Sequence, residues 1–401
     1  MAYFAGGCVR DGLLNRDPSD FDVATNASPD QVAQWFHPVQ RVGASFGVVL
    51  VRSGGHTIEV ATFRSDGPYS DSRRPDSVRF ADARADAERR DFTFNALFLD
   101  PLAAQPVPAE AVTTPTIHGT LIDFVDGKAD LDRGLLKAVG DPDARLREDH
   151  LRALRAVRFA ARLGFRVDLD TAAAIQRHAS DLSGVSRERI GDEVRIMLSH
   201  PTRTGAFRLL LAWKLAGYVF GVEPNSGSEP GLLAALPERS SFELALAAVV
   251  VDLGAPATTG VSGDPDALLR VRDALMLSND EYSKLAGLIR FRVPLRDHWV
   301  SMGVAARKRA AARELFSDHL SLLAAERSEA AELVRADVDG LASDGVGIDP
   351  PRLLTGDHLI AGGWRPGPTF KSVLETVFDA QLEGRIRTFE EARELAARLR
   401  V

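Results

Sequence analysis

Glycines, carboxylates and arginines recur in this 401-residue chain at spacings that suit phosphate chemistry. The first group opens it: Gly6-Gly7-Cys8-Val9-Arg10-Asp11, then Asp20-Phe21-Asp22. Two glycines before a helix-like run, Val9 to Leu14, let the backbone approach a ligand closely. The helix start leaves N–H groups free for a phosphate. Asp20 and Asp22 are spaced i, i+2, so on a strand both face one side. Two carboxylates aimed at one point repel unless a cation lies between them, and a hard, oxygen-ligated ion such as Mg²⁺ suits the pair. Glu59, in Thr57-Ile58-Glu59-Val60, adds a third carboxylate if its strand lies beside that pair. The pattern predicts a phosphate-gripping, Mg²⁺-dependent nucleotidyl transfer site. Each piece alone has a plainer reading: a turn, a solvated strand end, an exposed glutamate. Their order and spacing favour the chemical one.

A second group is Arg89-Arg90-Asp91-Phe92-Thr93-Phe94-Asn95-Ala96, two arginines leading into alternating apolar residues. The third lies in Arg147 to Leu163, which reads as one helix. Leu154, Val157 and Ala161 make its apolar side, while Arg152, Arg155, Arg158 and Arg162 recur at three- and four-residue steps on another. Solvated arginines on a helix are common. Four on one stripe repel, however, unless an anion is near, and Glu148 and Asp149 open the same segment.

These residues need elements to hold them. Residues 1–132 mix short strand-like runs with helices, including a hairpin of Gly47–Val51 and Thr57–Val60 around a Ser53-Gly54-Gly55 turn. Arg64 to Arg89 is dense in Ser, Asp, Arg and Pro and reads as a surface loop, carrying Tyr69, Asp71, Arg73 and Arg74. Pro101 to His118 reads as an inserted loop. From about residue 133 the periodicity turns helical and stays so.

Composition sets limits. The length predicts two to four domains. A net charge of −7 means that a nucleic acid would have to meet a local basic surface. One cysteine, Cys8, excludes an intrachain disulfide and a cysteine zinc cluster and reads as a small apolar filler. No signal peptide and no membrane-length apolar run is present, so the expected location is cytoplasmic.

Taken together, Gly6-Gly7-x-x-Arg10-Asp11 with Asp20-x-Asp22, Arg89-Arg90-Asp91-Phe92-Thr93-x-Asn95-Ala96, and Glu148-Asp149-x-x-Arg152-x-x-Arg155 resemble the class II tRNA nucleotidyltransferase and bacterial poly(A) polymerase family. Ser186-Arg187-Glu188-Arg189-Ile190 and the tail from Thr355 also look like it. The resemblance covers most of the chain and is weakest over residues 220 to 340. It implies an α+β fold: a polymerase-β-type head with a mixed sheet over residues 1–132. An all-α neck (133–200), body (201–343) and tRNA-binding tail (344–401) would follow. It implies that Gly6, Gly7 and Arg10 grip the triphosphate and that Asp20 and Asp22 bind metal, with Glu59 as third acid. Arg90 would contact nucleotide, Asp149 and Arg152 would read the base, and Arg155 and Arg158 would add nucleotide contacts. The expected activity is template-independent addition of CCA to tRNA from CTP and ATP with Mg²⁺, with no membrane and no evident protein partner. Poly(A) polymerase and specialised CC- or A-adding activity are the rivals. A non-catalytic RNA-binding relative is disfavoured by the intact Asp20/Asp22 pair, and a small-molecule nucleotidyltransferase by the Asp149/Arg152 segment.

Overall fold

The Gly54-Gly55 turn closes the hairpin because both glycines take left-handed φ, 56° and 83°, as tight hairpin turns require. The computed structural model describes residues 1–40, 47–67, 77–103, 119–254, 266–365 and 367–399. In order come β1 (Ala2–Ala5), α1 (Gly7–Leu13), β2 (Asp22–Thr25), α2 (Pro29–Trp35), β3 (Val39–Gln40), β4 (Val48–Ser53) and β5 (His56–Thr62). β6 (Arg64–Asp66), β7 (Val78–Phe80), α3 (Ala83–Glu88), β8 (Phe98–Asp100) and β9 (Thr120–Ile122) follow. Seven strands form one sheet in the order β3-β4-β5-β2-β1-β8-β9. All neighbours are antiparallel except β2 and β5, which run parallel with Asp22 opposite Glu59. One apolar cluster gathers Ala5, Ala24, Phe63, Ala87 and Phe98, with the Phe63 and Phe98 rings edge-on at 5.8 Å. A second gathers Val32, Val49, Val51 and Val60.

The Arg64–Arg89 stretch is not a plain loop. It holds the β6–β7 pair and α3, whose start is capped by Asp82 accepting from the Ala85 N–H at 2.9 Å. The apolar residues it buries, Ala83 and Ala87, are small, so its composition hides a packed helix. Tyr69, Asp71, Arg73 and Arg74 lie outside the described residues, as does 104–118 of the expected insertion.

Next come α4 (Gly127–Asp132), β10 (Leu135–Leu136), α5 (Pro142–Glu148), α6 (Arg152–Leu163), β11 (Arg166–Val167), α7 (Leu169–Arg177), α8 (Arg187–Leu198), α9 (Arg203–Ala212) and α10 (Ala216–Phe220). The single helix expected over Arg147–Leu163 is two. α5 is started by the Asp141 cap and Pro142, and ends at Asp149, whose φ of −149° is extended. The Asp149 Oδ1 then accepts the Leu151 N–H at 3.1 Å, and α6 begins at Arg152. α6 buries Leu154, Val157, Phe159 and Leu163 and stops at Gly164, with φ 73°.

Residues 1–223 with 273–276 form one compact unit, and residues 224–272 with 277–401 another. The second is helical in its described residues. Phe291, Trp299, Phe316 and Leu323 centre one core there. The helices Gly356–Ala361, Pro368–Leu382 and Phe389–Arg398 enclose another around Leu354, Leu359, Val373 and Val377. A mixed-sheet head followed by helices is the α+β architecture expected.

Candidate active site

A cleft of about 630 Å³ in the first unit is lined by every residue to which the resemblance gives a catalytic or nucleotide-binding role: Gly6, Gly7, Arg10, Asp20, Asp22, Glu59, Arg90, Asp149, Arg152, Arg155 and Arg158. Three of its walls come from different parts of the chain: α1 with β2 and β5, the turn around residues 89–95, and α6.

The acidic wall is built by the parallel pairing that sets Glu59 against Asp22. Asp22 opens β2, whereas Asp20 stands before the strand and is exposed, so the pair does not share a strand face as the spacing predicted. Both nonetheless line the cleft. No cationic side chain among the described residues forms an ion pair with Asp20, Asp22 or Glu59. Burial, then Glu59 and Asp20, push the Asp22 carboxyl up to about 6 against the pull of Arg90. This wall therefore carries uncompensated negative charge. Its donors are all carboxylate oxygens, the set a hard divalent ion takes. Among the described residues no three His, Cys, Asp or Glu side chains are gathered closely enough to hold an ion unaided. Mg²⁺ keeps several waters and uses one or two carboxylates plus substrate phosphates, so the chain would have to supply only part of such a site. Behind the wall Cys8 is buried, its thiol donating to the Ala5 carbonyl at 3.3 Å, a filler as expected.

The glycine motif faces that wall. Gly6 has φ 70°, and a β-carbon on it would stand 3.0 Å from Arg90 Nη1. The left-handed φ favours glycine, and a β-carbon there would crowd Arg90. Arg90 Nη1 donates to the Asn95 carbonyl at 3.0 Å, and Nη2 to Asp86 Oδ2 at 3.0 Å. Asp86 is buried. Burial would raise its pKa, but Arg89 and Arg90 outweigh it and hold the carboxyl below its usual range. Arg10 donates to both Asp11 oxygens, at 2.7 and 2.9 Å, and to Asn95 Oδ1 at 2.8 Å.

Three of the four arginines of the α6 stripe, Arg152, Arg155 and Arg158, are neutralised by protein. Arg152 donates to Glu148 at 2.6 Å and to the carbonyls of Arg145 and Arg89. Arg155 meets Asp91 at 2.7 Å, and Arg158 meets Glu193 at 2.7 Å. The anions that the stripe demanded are thus largely carboxylates of the chain. Burial works against the Asp91 charge, but Arg155, then the Asn95 amide and Arg152, hold its pKa at about 2. Arg10, Arg155 and Arg158 also lie 5.2, 5.3 and 4.5 Å from the centre of the Phe159 ring. Such cation–π contacts hold the guanidinium planes in place.

Asp149 sits at the joint between α5 and α6, not on α6. Its Oδ2 accepts from Arg189 Nη2 at 2.7 Å. One lone pair on each oxygen stays free, and Arg152 keeps Nε and one Nη2 proton.

Reading the sequence assigned no role to Asp86, Asp91, Asn95, Phe159, Arg189 or Glu193. Asp86 had a visible signal, three and four residues before Arg89 and Arg90, the spacing of neighbours around a helical turn. Glu193 and Arg189 lie on α8, and nothing local marks them as partners of α6 and Asp149.

Residues 2–137 match the model of the poly A polymerase head domain, and residues 164–225 that of the probable RNA and SrmB-binding site of polymerase A. The CCA-adding enzyme of Geobacillus thermodenitrificans is 42% identical over 222 residues, 55% of this chain and 51% of that one. That of Limosilactobacillus fermentum is 41% identical over 211 residues, 52% of this chain and 49% of the relative. The chain thus spans about half the length of the curated relatives it matches. The crystal structure of the Bacillus stearothermophilus CCA-adding enzyme in complex with CTP superposes with a TM-score of 0.77 at 28% identity, covering 100% of this chain and 93% of that one.

Proposed function

We propose that this member of the tRNA nucleotidyltransferase and poly(A) polymerase family adds CCA to the 3′ end of tRNA, using CTP and ATP without a nucleic-acid template. The observation that carries the reading is the cleft itself, where an uncompensated acidic wall faces a set of fixed guanidiniums. Two relatives at about 40% identity are CCA-adding enzymes, and the superposed Bacillus stearothermophilus enzyme holds CTP. Asp20 and Asp22 would hold Mg²⁺, with Glu59 completing the acidic wall. An ion held by these carboxylates would supply Lewis-acid activation of the primer 3′-hydroxyl and offset charge on the α-phosphate.

The chain's own residues do the rest. Gly6 and Gly7 admit the triphosphate backbone to the start of α1, where Arg10 and Arg90 donate hydrogen bonds to its oxygens. Asp149 accepts a hydrogen bond from the base amino group, and Arg152 donates one to the neighbouring ring nitrogen. Cytosine and adenine both present that donor–acceptor edge. Uracil and guanine set a carbonyl against Asp149, leaving acceptor against acceptor in a desolvated site. Fixing Asp149 and Arg152 beforehand lets the pair discriminate instead of adapting. Arg155 and Arg158 are assigned to further nucleotide contacts, and the tail, 344–401, to the tRNA body. No described helix is long and apolar enough to cross a membrane. A tRNA-processing role places the work in the cytoplasm.

The test is incubation of purified protein with tRNA lacking its last three nucleotides, CTP, ATP and Mg²⁺. Addition of C, C and A in turn is expected. Long A runs on unrelated RNA would shift the reading to poly(A) polymerase, and a stop after CC or a need for a CC-ended primer to a specialised enzyme.

A further inference from the structure

We propose that Asn95 is a positioning residue that locks the phosphate-gripping arginines of the head to the base-reading helix α6. The inference rests on the nucleotide-transfer reading above and assigns a role to a side chain that reading does not use.

Asn95 ends a one-turn helix, Thr93–Asn95, and is 7% exposed. Neighbours fix that turn. Thr93 donates its hydroxyl to Asp130 at 2.8 Å, and the Thr93 N–H donates to the Lys137 carbonyl at 3.0 Å. Phe92 and Phe94 stack on each other and both meet Phe159 edge-on.

From this fixed place Asn95 serves three site residues with three different groups. Its Oδ1 accepts from Arg10 Nη1 at 2.8 Å. Its Nδ2 donates to Asp91 Oδ1 at 3.1 Å. Its backbone carbonyl accepts from Arg90 Nη1 at 3.0 Å. The amide has only one workable orientation, because arginine offers donors alone and a carboxylate acceptors alone. Asp91 passes the connection on, its Oδ2 taking Arg155 Nε at 2.8 Å. An unbroken line, Arg10–Asn95–Asp91–Arg155, therefore joins α1 to α6.

Neither near-isostere can replace the amide. Aspartate would satisfy Arg10 but set one carboxylate against another at Asp91. Leucine would leave a buried donor of Arg10 and a buried acceptor of Asp91 without partners. Without the amide Arg10 keeps Asp11 on its other edge, so the charge stays but its aim is lost. Asp149 is held separately by Arg189. The loss should therefore fall on triphosphate binding and not on base choice.

The experiment compares Asn95→Leu and Asn95→Asp with the natural full-length chain. Binding of inorganic tripolyphosphate with Mg²⁺ is measured by calorimetry, and kcat and KM are measured for CTP, ATP and UTP between pH 5.5 and 7.5. The Leu variant should bind tripolyphosphate about tenfold more weakly and raise KM for CTP and ATP alike, with the CTP-to-UTP preference unchanged. The Asp variant should lose as much at pH 7.5 and regain binding as pH falls and the new carboxylate takes a proton. The charged groups facing it are Arg10 and Asp11 of α1, Arg90 and Asp91 of the turn, and Arg155 of α6. Natural tripolyphosphate affinity in the Leu variant, or a loss in the Asp variant that ignores pH, would overturn the proposal. Should the Leu variant fail to fold, the pH profile of the near-isosteric Asp variant decides. The tripolyphosphate arm contains no tRNA, so a chain that binds as predicted but adds no CCA sinks the function and spares Asn95. A chain that adds CCA with indifferent Asn95 variants does the reverse.

Discussion

The two sides of the cleft solve opposite electrostatic problems. Among the described residues Asp20, Asp22 and Glu59 form no ion pair, whereas Arg10, Arg90, Arg152, Arg155 and Arg158 each meet a carboxylate of the chain. The acidic side is thus incomplete until something positive arrives. The basic side is already largely neutralised, and its value lies in aim: guanidiniums fixed beforehand cost little reorganisation when a phosphate or base meets them. One side stores charge, the other geometry, and substitutions should separate the two.

The largest effect is expected on the acidic side. Asp22→Asn should cut nucleotide incorporation by at least about 10³-fold, measured in single turnover, while CTP binding changes little. The same variant should be more stable than the natural chain in chelator at pH 7.5, by ~1 kcal/mol after allowing for solvent screening. Denaturant unfolding checks this, and an Asp22→Asn chain less stable in chelator would erase the contrast. On the basic side the sign reverses. Asp91→Ala should cost about 3 kcal/mol of stability because Arg155 is left with its main partner gone. The Asp91 pKa of about 2 lies below the ordinary carboxylate value, so its contribution is present at neutral pH and lost as pH falls from about 4 toward 2.

Base choice sharpens the comparison further. Asp149→Ala should erode rejection of UTP by about 10²-fold. Arg189→Ala should erode it less, about tenfold, since Asp149 keeps the Leu151 N–H. The smallest effect is a shift in pH dependence. Proton and cation compete for Asp22, so the Mg²⁺ needed for half-maximal activity should rise as pH drops through about 6. Glu59→Gln should move that rise to lower pH, because it removes a neighbouring charge; an unmoved midpoint would detach Glu59 from the acidic wall.

Much of this site was legible because its signals are local. Glycines before a helix, acids two residues apart and arginines at helical steps can be read within a window of twenty residues. The misses share a physical cause. The break at Asp149 carries no glycine or proline, so the periodicity of α5 runs into that of α6 unmarked. α3 hid in a polar stretch because it packs through alanines. Arg189, Glu193 and Asn95 matter only through side chains that the tertiary fold brings to them. The fold class was legible for a simpler reason: strand-like alternation ends where helical periodicity begins, near residue 133.

The parallel pairing of β2 and β5 has a kinetic consequence. The β4–β5 hairpin is local and can form early, but its docking beside β2 must close a connection running from Asn26 to Gly47. That same step drives Glu59 against Asp22. Like charges therefore meet as the sheet closes, and the feature that makes the site hungry for a cation also raises the barrier to assembling the head. Refolding should quicken when Mg²⁺ is present or when the acids are neutralised, so the ion would act on the chain before any nucleotide does.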